Sequence, residues 1–154
     1  MASSAQARSR VIWSIQRLAV GGRYLDVARL RIKLHLRAII TGQQTVSEWC
    51  WLDTGAPFSI IPLAMHSGRL AWQPLAGMQT RWAGQACDLG VIDVWLPAGT
   101  RKGAAGPFPM LAKFARSDPP GGPLPILLGL EFLLTHQAHL NLRPPPTGGV
   151  IRIP

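Results

Sequence analysis

Cys50-Trp51-Leu52-Asp53-Thr54-Gly55-Ala56-Pro57-Phe58-Ser59-Ile60-Ile61-Pro62 carries one carboxylate out of an apolar run into a tight Asp-Thr-Gly turn, after which the chain becomes apolar again. A carboxylate set between Leu52 and the stretch from Phe58 to Pro62 has little access to bulk water, so groups close by must satisfy it. The turn has the residue types to do so. Gly55 leaves room for close approach and tolerates positive φ, and Thr54 and Ser59 bring short hydroxyls that bond nearby backbone or carboxylate oxygens. Taken alone, the tripeptide reads equally well as an ordinary turn after a strand.

A second segment, Leu124-Pro125-Ile126-Leu127-Leu128-Gly129-Leu130-Glu131-Phe132-Leu133-Leu134, follows about seventy residues downstream. In this order the two segments resemble the retropepsin-like aspartic proteases. In that family a strand ending in Asp-Thr-Gly-Ala is followed later by two bulky apolar residues, a glycine and a short helix, here Leu127, Leu128, Gly129 and Glu131 onward. The resemblance spans residues 28–143. It implies an all-β fold, a closed and mostly antiparallel acid-protease barrel with one short C-terminal helix. Gly90 to Leu96 resembles the returning strand of a flap hairpin, and Phe108 to Phe114 the strand before the second signature.

The same resemblance implies an aspartic endopeptidase. With 154 residues and a single Asp-Thr-Gly, the chain is one lobe, and Asp26, Asp88, Asp93 and Asp118 lie in no comparable setting. A working site therefore needs a symmetric homodimer with Asp53 and its mate facing each other across a two-fold axis. Two carboxylates so close hold one proton between them and titrate as a unit. One takes a proton from a bound water that attacks a peptide carbonyl, and the other stabilises the oxygen and passes its proton on. Neither a metal nor a cofactor is implied. The resemblance assigns Thr54 to a hydroxyl network between the two active-site loops and Gly55 to a backbone donor toward the carboxylate. Asp53, Thr54 and Gly55 are thus the expected catalytic set. Substrate contacts are expected from Ala56 and from a flap over 77–96 with its tip at Trp82, Ala83 and Gly84, closing over peptide and excluding water. Apolar pockets are expected from Leu52, Phe58, Ile60 and Ile61. The chain departs from the retroviral pattern in three places: the flap tip is poor in glycine, Pro57 replaces an acidic residue, and Leu130 replaces an arginine, so the Asp–Arg brace of retroviral dimers is missing.

Composition bounds the rest. An apolar content of 47% in 154 residues supports one core. No stretch approaches the ~20 apolar residues of a membrane-crossing helix, and Gln16 and Arg17 interrupt Val11 to Val20, against a secretory signal. Cys50 and Cys87 read as reduced, buried thiols of a cytoplasmic protein, and His136 with His139 lack the partners of a metal site. The expected organisation is a basic extension over 1–27 that could supply a terminal interface strand, the protease domain over 28–143, and a C-terminal segment over 144–154 with Val150 to Ile153 as a dimer-interface strand.

Arg29 to Arg37 alternates apolar and basic, as a half-buried antiparallel strand does. Val46 to Leu52 supplies the next strand, and Glu131 to Gln137 reads as a helix. Half of the 16 basic residues lie within the first 37 positions, with Asp26 the only acid among them. Clustered cations bind phosphates, yet no stacking aromatics accompany them along the sequence, so a solvated strand face is favoured and nucleic acid is not an expected partner. The alternatives to a protease are a non-catalytic retropepsin-fold module that binds peptides or dimerises and, behind it, a basic nucleic-acid binder.

Overall fold

The computed structural model describes residues 7–39, 42–97 and 104–154. Alternation along the sequence fixes the long strands. Ala7–Val20 (β1) and Arg23–Arg37 (β2) form an antiparallel hairpin around Gly21-Gly22, whose φ values of 55° and 76° meet the demand of a two-residue turn for left-handed backbone. Along β2, Ile32, Leu34 and Leu36 are fully buried, while Arg31, Lys33 and His35 between them keep contact with solvent. Thr45–Leu52 (β3) pairs antiparallel with β2, Leu30 opposite Leu52 and Arg37 opposite Thr45.

Ser59–Ile61 (β4) and a single helical turn, Leu63–His66 (α1), lead through Gly68, at φ +66°, toward a second hairpin. That hairpin consists of Gln73–Trp82 (β5) and Gln85–Leu96 (β6). Ala105–Ala115 (β7), Ile126–Leu128 (β8), Leu130–Thr135 (α2), His139–Arg143 (β9) and Gly148–Ile153 (β10) complete the chain. All ten strands join one sheet in the order β5-β6-β7-β4-β8-β3-β2-β1-β10-β9, antiparallel except for β3–β8 and β4–β7. An additional two-residue pairing joins β2 to β6 at His35–Trp95 and Leu36–Val94. The protein is thus predominantly β, as expected, with a second short helix, α1, beside the expected one.

The core gathers the inward faces: Ile32, Leu34, Cys50, Ile61, Phe114, Ile126, Leu128 and Phe132 are almost fully buried. Each such large side chain gains about 1.5–3 kcal/mol on leaving water. Trp72 stacks on Phe114 with centroids 3.8 Å apart, and the Trp72 ring lies so close over Gly90 that a β-carbon there would be 2.5 Å from Trp72 Cε3.

Two expectations about the ends meet a different arrangement. Ala7 to Val11 is no appendage: Ala7 and Val11 enter the core, and the sheet runs unbroken across residue 28. Val150 to Arg152 lies between β1 and β9 and is paired on both sides within the chain, while Ile153 pairs with Ala7 of β1. The loop expected over 97–109 falls partly outside the described residues, as do Met1 to Gln6 of the basic segment. The described part contains no helix long and apolar enough to cross a membrane.

Candidate active site

The parallel pairing of β3 with β8 brings the two signature segments side by side: Cys50 lies opposite Ile126, Trp51 opposite Leu127 and Leu52 opposite Leu128. The ladder continues into the turn. Asp53 N–H donates to the Leu128 carbonyl at 2.9 Å, Leu130 N–H to Ala56 O at 2.8 Å, and Glu131 N–H to Pro57 O at 3.0 Å. Ser59, wholly buried, accepts the Gly129 N–H on its Oγ at 3.0 Å. Glycine is required at 129 by space alone, since its φ of −89° suits any residue. A β-carbon would run into the Phe58 carbonyl group and lie 2.7 Å from Ser59 N.

Within the turn, Gly55 N–H donates to Asp53 Oδ1 at 3.0 Å and Ala56 N–H to Asp53 O at 3.2 Å. Gly55 thus donates to the carboxylate, and a β-carbon at 55 would crowd Asp53 Oδ1 at 3.2 Å. The carboxylate itself is half-buried, while Thr54 and Gly55 are exposed. Asp53 therefore opens to the surface instead of being sealed by its apolar neighbours. It borders a groove of about 320 Å³ lined with Trp13, Arg29, Leu30, Trp51 and Leu52. Arg29 lies over the Trp51 ring, its Cζ 4.2 Å from the centroid, and its buried Nε has no hydrogen-bond partner among the described residues.

The other expected site residues are distributed differently. Ala56 is buried and serves through its backbone, bracing the turn against Leu130. Ile60 and Ile61 are 5% and 0% exposed, so they belong to the core and line no pocket. Leu52 does line the groove, whereas Phe58 lies half-buried near Lys113. Trp82, Ala83 and Gly84 form the tip of the β5–β6 hairpin, with Ala83 and Gly84 at φ 48° and 77° and both exposed. The hairpin is tied to the far part of β7 and beyond by Lys113 Nζ to Arg81 O (3.0 Å), Arg116 N to Ala86 O (2.9 Å) and a contact between Ser117 Oγ and Gln85. No tip residue lines the groove at Asp53.

Trp13, Arg29 and Trp51 are the groove residues that sequence reading missed. The signal was present in part, because pairing the alternating strand at Arg29 with the Trp51 strand in register places both beside Asp53. Among the described residues, no three His, Cys, Asp or Glu side chains gather as a metal site needs. Cys50 and Cys87 are buried free thiols. Burial pushes both thiols above their ordinary range, reinforced at Cys50 by the charge of Glu48. No model of a known protein family matches the chain, and no curated protein is similar to it in sequence.

Proposed function

We propose that this chain is one half of a retropepsin-like aspartic endopeptidase, in which Asp53 and the same residue of a second copy activate a water against a peptide carbonyl. The observation that carries the proposal is the bracing of the Asp53 turn by the Leu127-Leu128-Gly129 segment, which holds a carboxylate at the surface with a backbone donor on one oxygen. A turn fixed by several backbone hydrogen bonds pays its orientation cost during folding, which is what preorganised acid–base chemistry requires. In the proposed mechanism, the pair of carboxylates shares one proton: the ionised member takes a proton from water, and the protonated member donates to the carbonyl oxygen and then to the leaving nitrogen.

Support for the supporting parts comes from the sheet. The β2–β6 pairing joins two distant strands of the order, which fits a sheet closed on itself as a barrel. The β5–β6 hairpin with its exposed two-residue tip has the form of a flap. Among the described residues β9 ends the sheet with one edge unpaired, and Leu142 on that strand is exposed, the features expected of a surface met by a second copy. Exposed Thr54 and Gly55 suit a loop that faces its mate.

Mass-spectrometric mapping of cuts in a diverse peptide mixture, over mildly acidic to neutral pH, tests the proposal, with Asp53→Asn in parallel. Cleavage by the unaltered protein alone, with rate rising as the square of concentration at high dilution, is the expected result. Equal silence from both proteins, with a dimer present by sedimentation, replaces the enzyme with a non-catalytic module of the same fold.

A further inference from the structure

Register places a continuous set of cations on the solvent face of β9, β10, β1, β2 and β3. On β1, Arg8 and Arg10 are exposed while Ala7, Ser9 and Val11 are buried. Arg152 lies opposite Arg8 and Val150 opposite Arg10. Asn141 faces Val150, and Arg143 faces Gly148. Arg8, Arg10, Arg143, Arg152 and Asn141 rim one groove of about 670 Å³. The same face continues over β2 with Arg29, Arg31 and Lys33, where Arg31 pairs with Ile12 of β1.

Aromatic rings complete it. On β3, Trp49 lies opposite Lys33 and Trp51 opposite Arg31. Arg31 Cζ is 5.2 Å and Lys33 Nζ 5.9 Å from the Trp49 centroid, and Arg29 lies over Trp51. Trp49 is 38% exposed. The tryptophans are far from most of these cations in sequence and adjacent only across strands, so a pattern absent along the chain exists on the sheet.

The acidic residues do not neutralise this face. Asp26, Asp93, Glu48 and Asp88 are bound to Arg17, Arg37, Arg69 and Arg116, none of which is among its seven cations. Asp118 accepts the Ala64 N–H, Glu131 the Thr135 hydroxyl, and Asp53 touches only the rim beside Arg29. Among the described residues the buried Arg29 Nε finds no acceptor.

We propose that this face binds single-stranded nucleic acid, phosphates on the arginines and lysine and bases on Trp49 and Trp51. Five strands at about 4.8 Å spacing make a platform roughly 19 Å across, long enough for an extended strand to meet the Arg8–Arg152 groove and the tryptophans together. An acidic peptide would satisfy the guanidiniums and leave the rings without use, whereas every unpaired base has a face to stack. A duplex keeps its bases stacked on one another and offers only phosphate. The face shares Arg29 and Trp51 with the groove at Asp53, but its binding needs neither the Asp53 carboxylate nor peptide hydrolysis.

Fluorescence anisotropy of a labelled single-stranded oligothymidylate, titrated with the full chain at several salt concentrations, tests it. Binding should weaken linearly in a log–log plot, with a slope near 0.7 per phosphate neutralised, and the Arg8→Ala, Arg152→Ala double variant should lower that slope by about 1.4. Trp49→Ala should weaken binding about tenfold, with circular dichroism unchanged because the ring lies on the surface. Asp53→Asn, which removes a carboxylate at the rim beside Arg29, should bind no more weakly than the unaltered protein. Absence of binding at about 50 mM salt, an affinity for heparin or duplex equal to that for the single strand, or indifference to Trp49→Ala would each overturn the proposal.

Discussion

Ser59→Ala tests the joint that holds the Asp53 turn against the second signature. The Ser59 side chain has no exposure, and its Oγ is the acceptor for the Gly129 N–H at 3.0 Å. Truncation leaves that amide without an acceptor in a site too crowded to admit a replacement: a β-carbon at Gly129 would already collide with Phe58. A buried donor left unsatisfied costs about 1–3 kcal/mol, and the loss of one hydroxyl oxygen adds a small void. Taking about 2 kcal/mol and a urea slope of about 2 kcal/mol per molar, the unfolding midpoint should fall by about 1 M with the slope unchanged. The assay is equilibrium unfolding in urea followed by tryptophan fluorescence, at one fixed protein concentration so that self-association does not enter the comparison. If the turn depends on this joint, Ser59→Ala should also slow peptide hydrolysis more than its stability alone explains at temperatures where it stays folded. A midpoint within about 0.2 M of the unaltered protein would mean that the Gly129 amide finds another partner and that the bracing described here is not needed.

Three further outcomes follow from separate features. Ala83→Asn converts the hairpin tip to Asn-Gly, the pair best suited to two successive positive φ angles, and should raise the unfolding midpoint by the equivalent of about 0.5–1 kcal/mol, while Gly84→Ala should lower it by a similar amount. Cys50 and Cys87 are held protonated by burial, so neither should react with a thiol reagent such as dithionitrobenzoate in the native protein and both should react in urea; native-state modification of Cys50 would contradict its placement. His35 is held below the ordinary imidazole range, first by burial and then by Lys33, and its Nδ1 lies 2.5 Å from Ser47 Oγ. The folded protein therefore binds fewer protons than the unfolded chain below about pH 6.5. Stability should decline as the pH drops through that point, a component that His35→Gln removes and that NMR titration of the ring locates directly.

Much of this architecture was legible because period-two alternation survives wherever one face is buried. Arg29 to Arg37 showed its register in its residue types, and the hairpin with its tip at Trp82 to Gly84 was implied by the family resemblance. The Asp53 turn and the Gly129 segment were readable as partners through their resemblance to the two retropepsin-like signatures. What escaped reading depends on distances through space. Ile60 and Ile61 look like pocket material until β7 and β8 cover them on both sides. Ala56 looks like a substrate contact until its amide and carbonyl are spent on Asp53 and Leu130. The tryptophans of β3 and the cations of β1 and β2 sit in separate stretches, and only strand order makes them neighbours. Likewise, Val150 to Ile153 has the composition of an edge strand, and only the return of β9 along its other side makes it an interior one.

The pairing of Ala7 with Ile153 sets a constraint on synthesis. β1 fills one edge with β2 early, but its other edge along Ala7 to Val11 has no partner until the last strand has been made. At translation speeds of about 5–20 residues per second, a nascent chain carries that unpaired edge for some seconds before the sheet can be finished. Closing so distant a contact is also the slowest kind of step for loop entropy. The exposed arginines at positions 8 and 10 lie within the waiting edge and repel their counterparts on neighbouring ribosomes, so the same charges guard the strand during the interval when it is most able to pair with the wrong molecule.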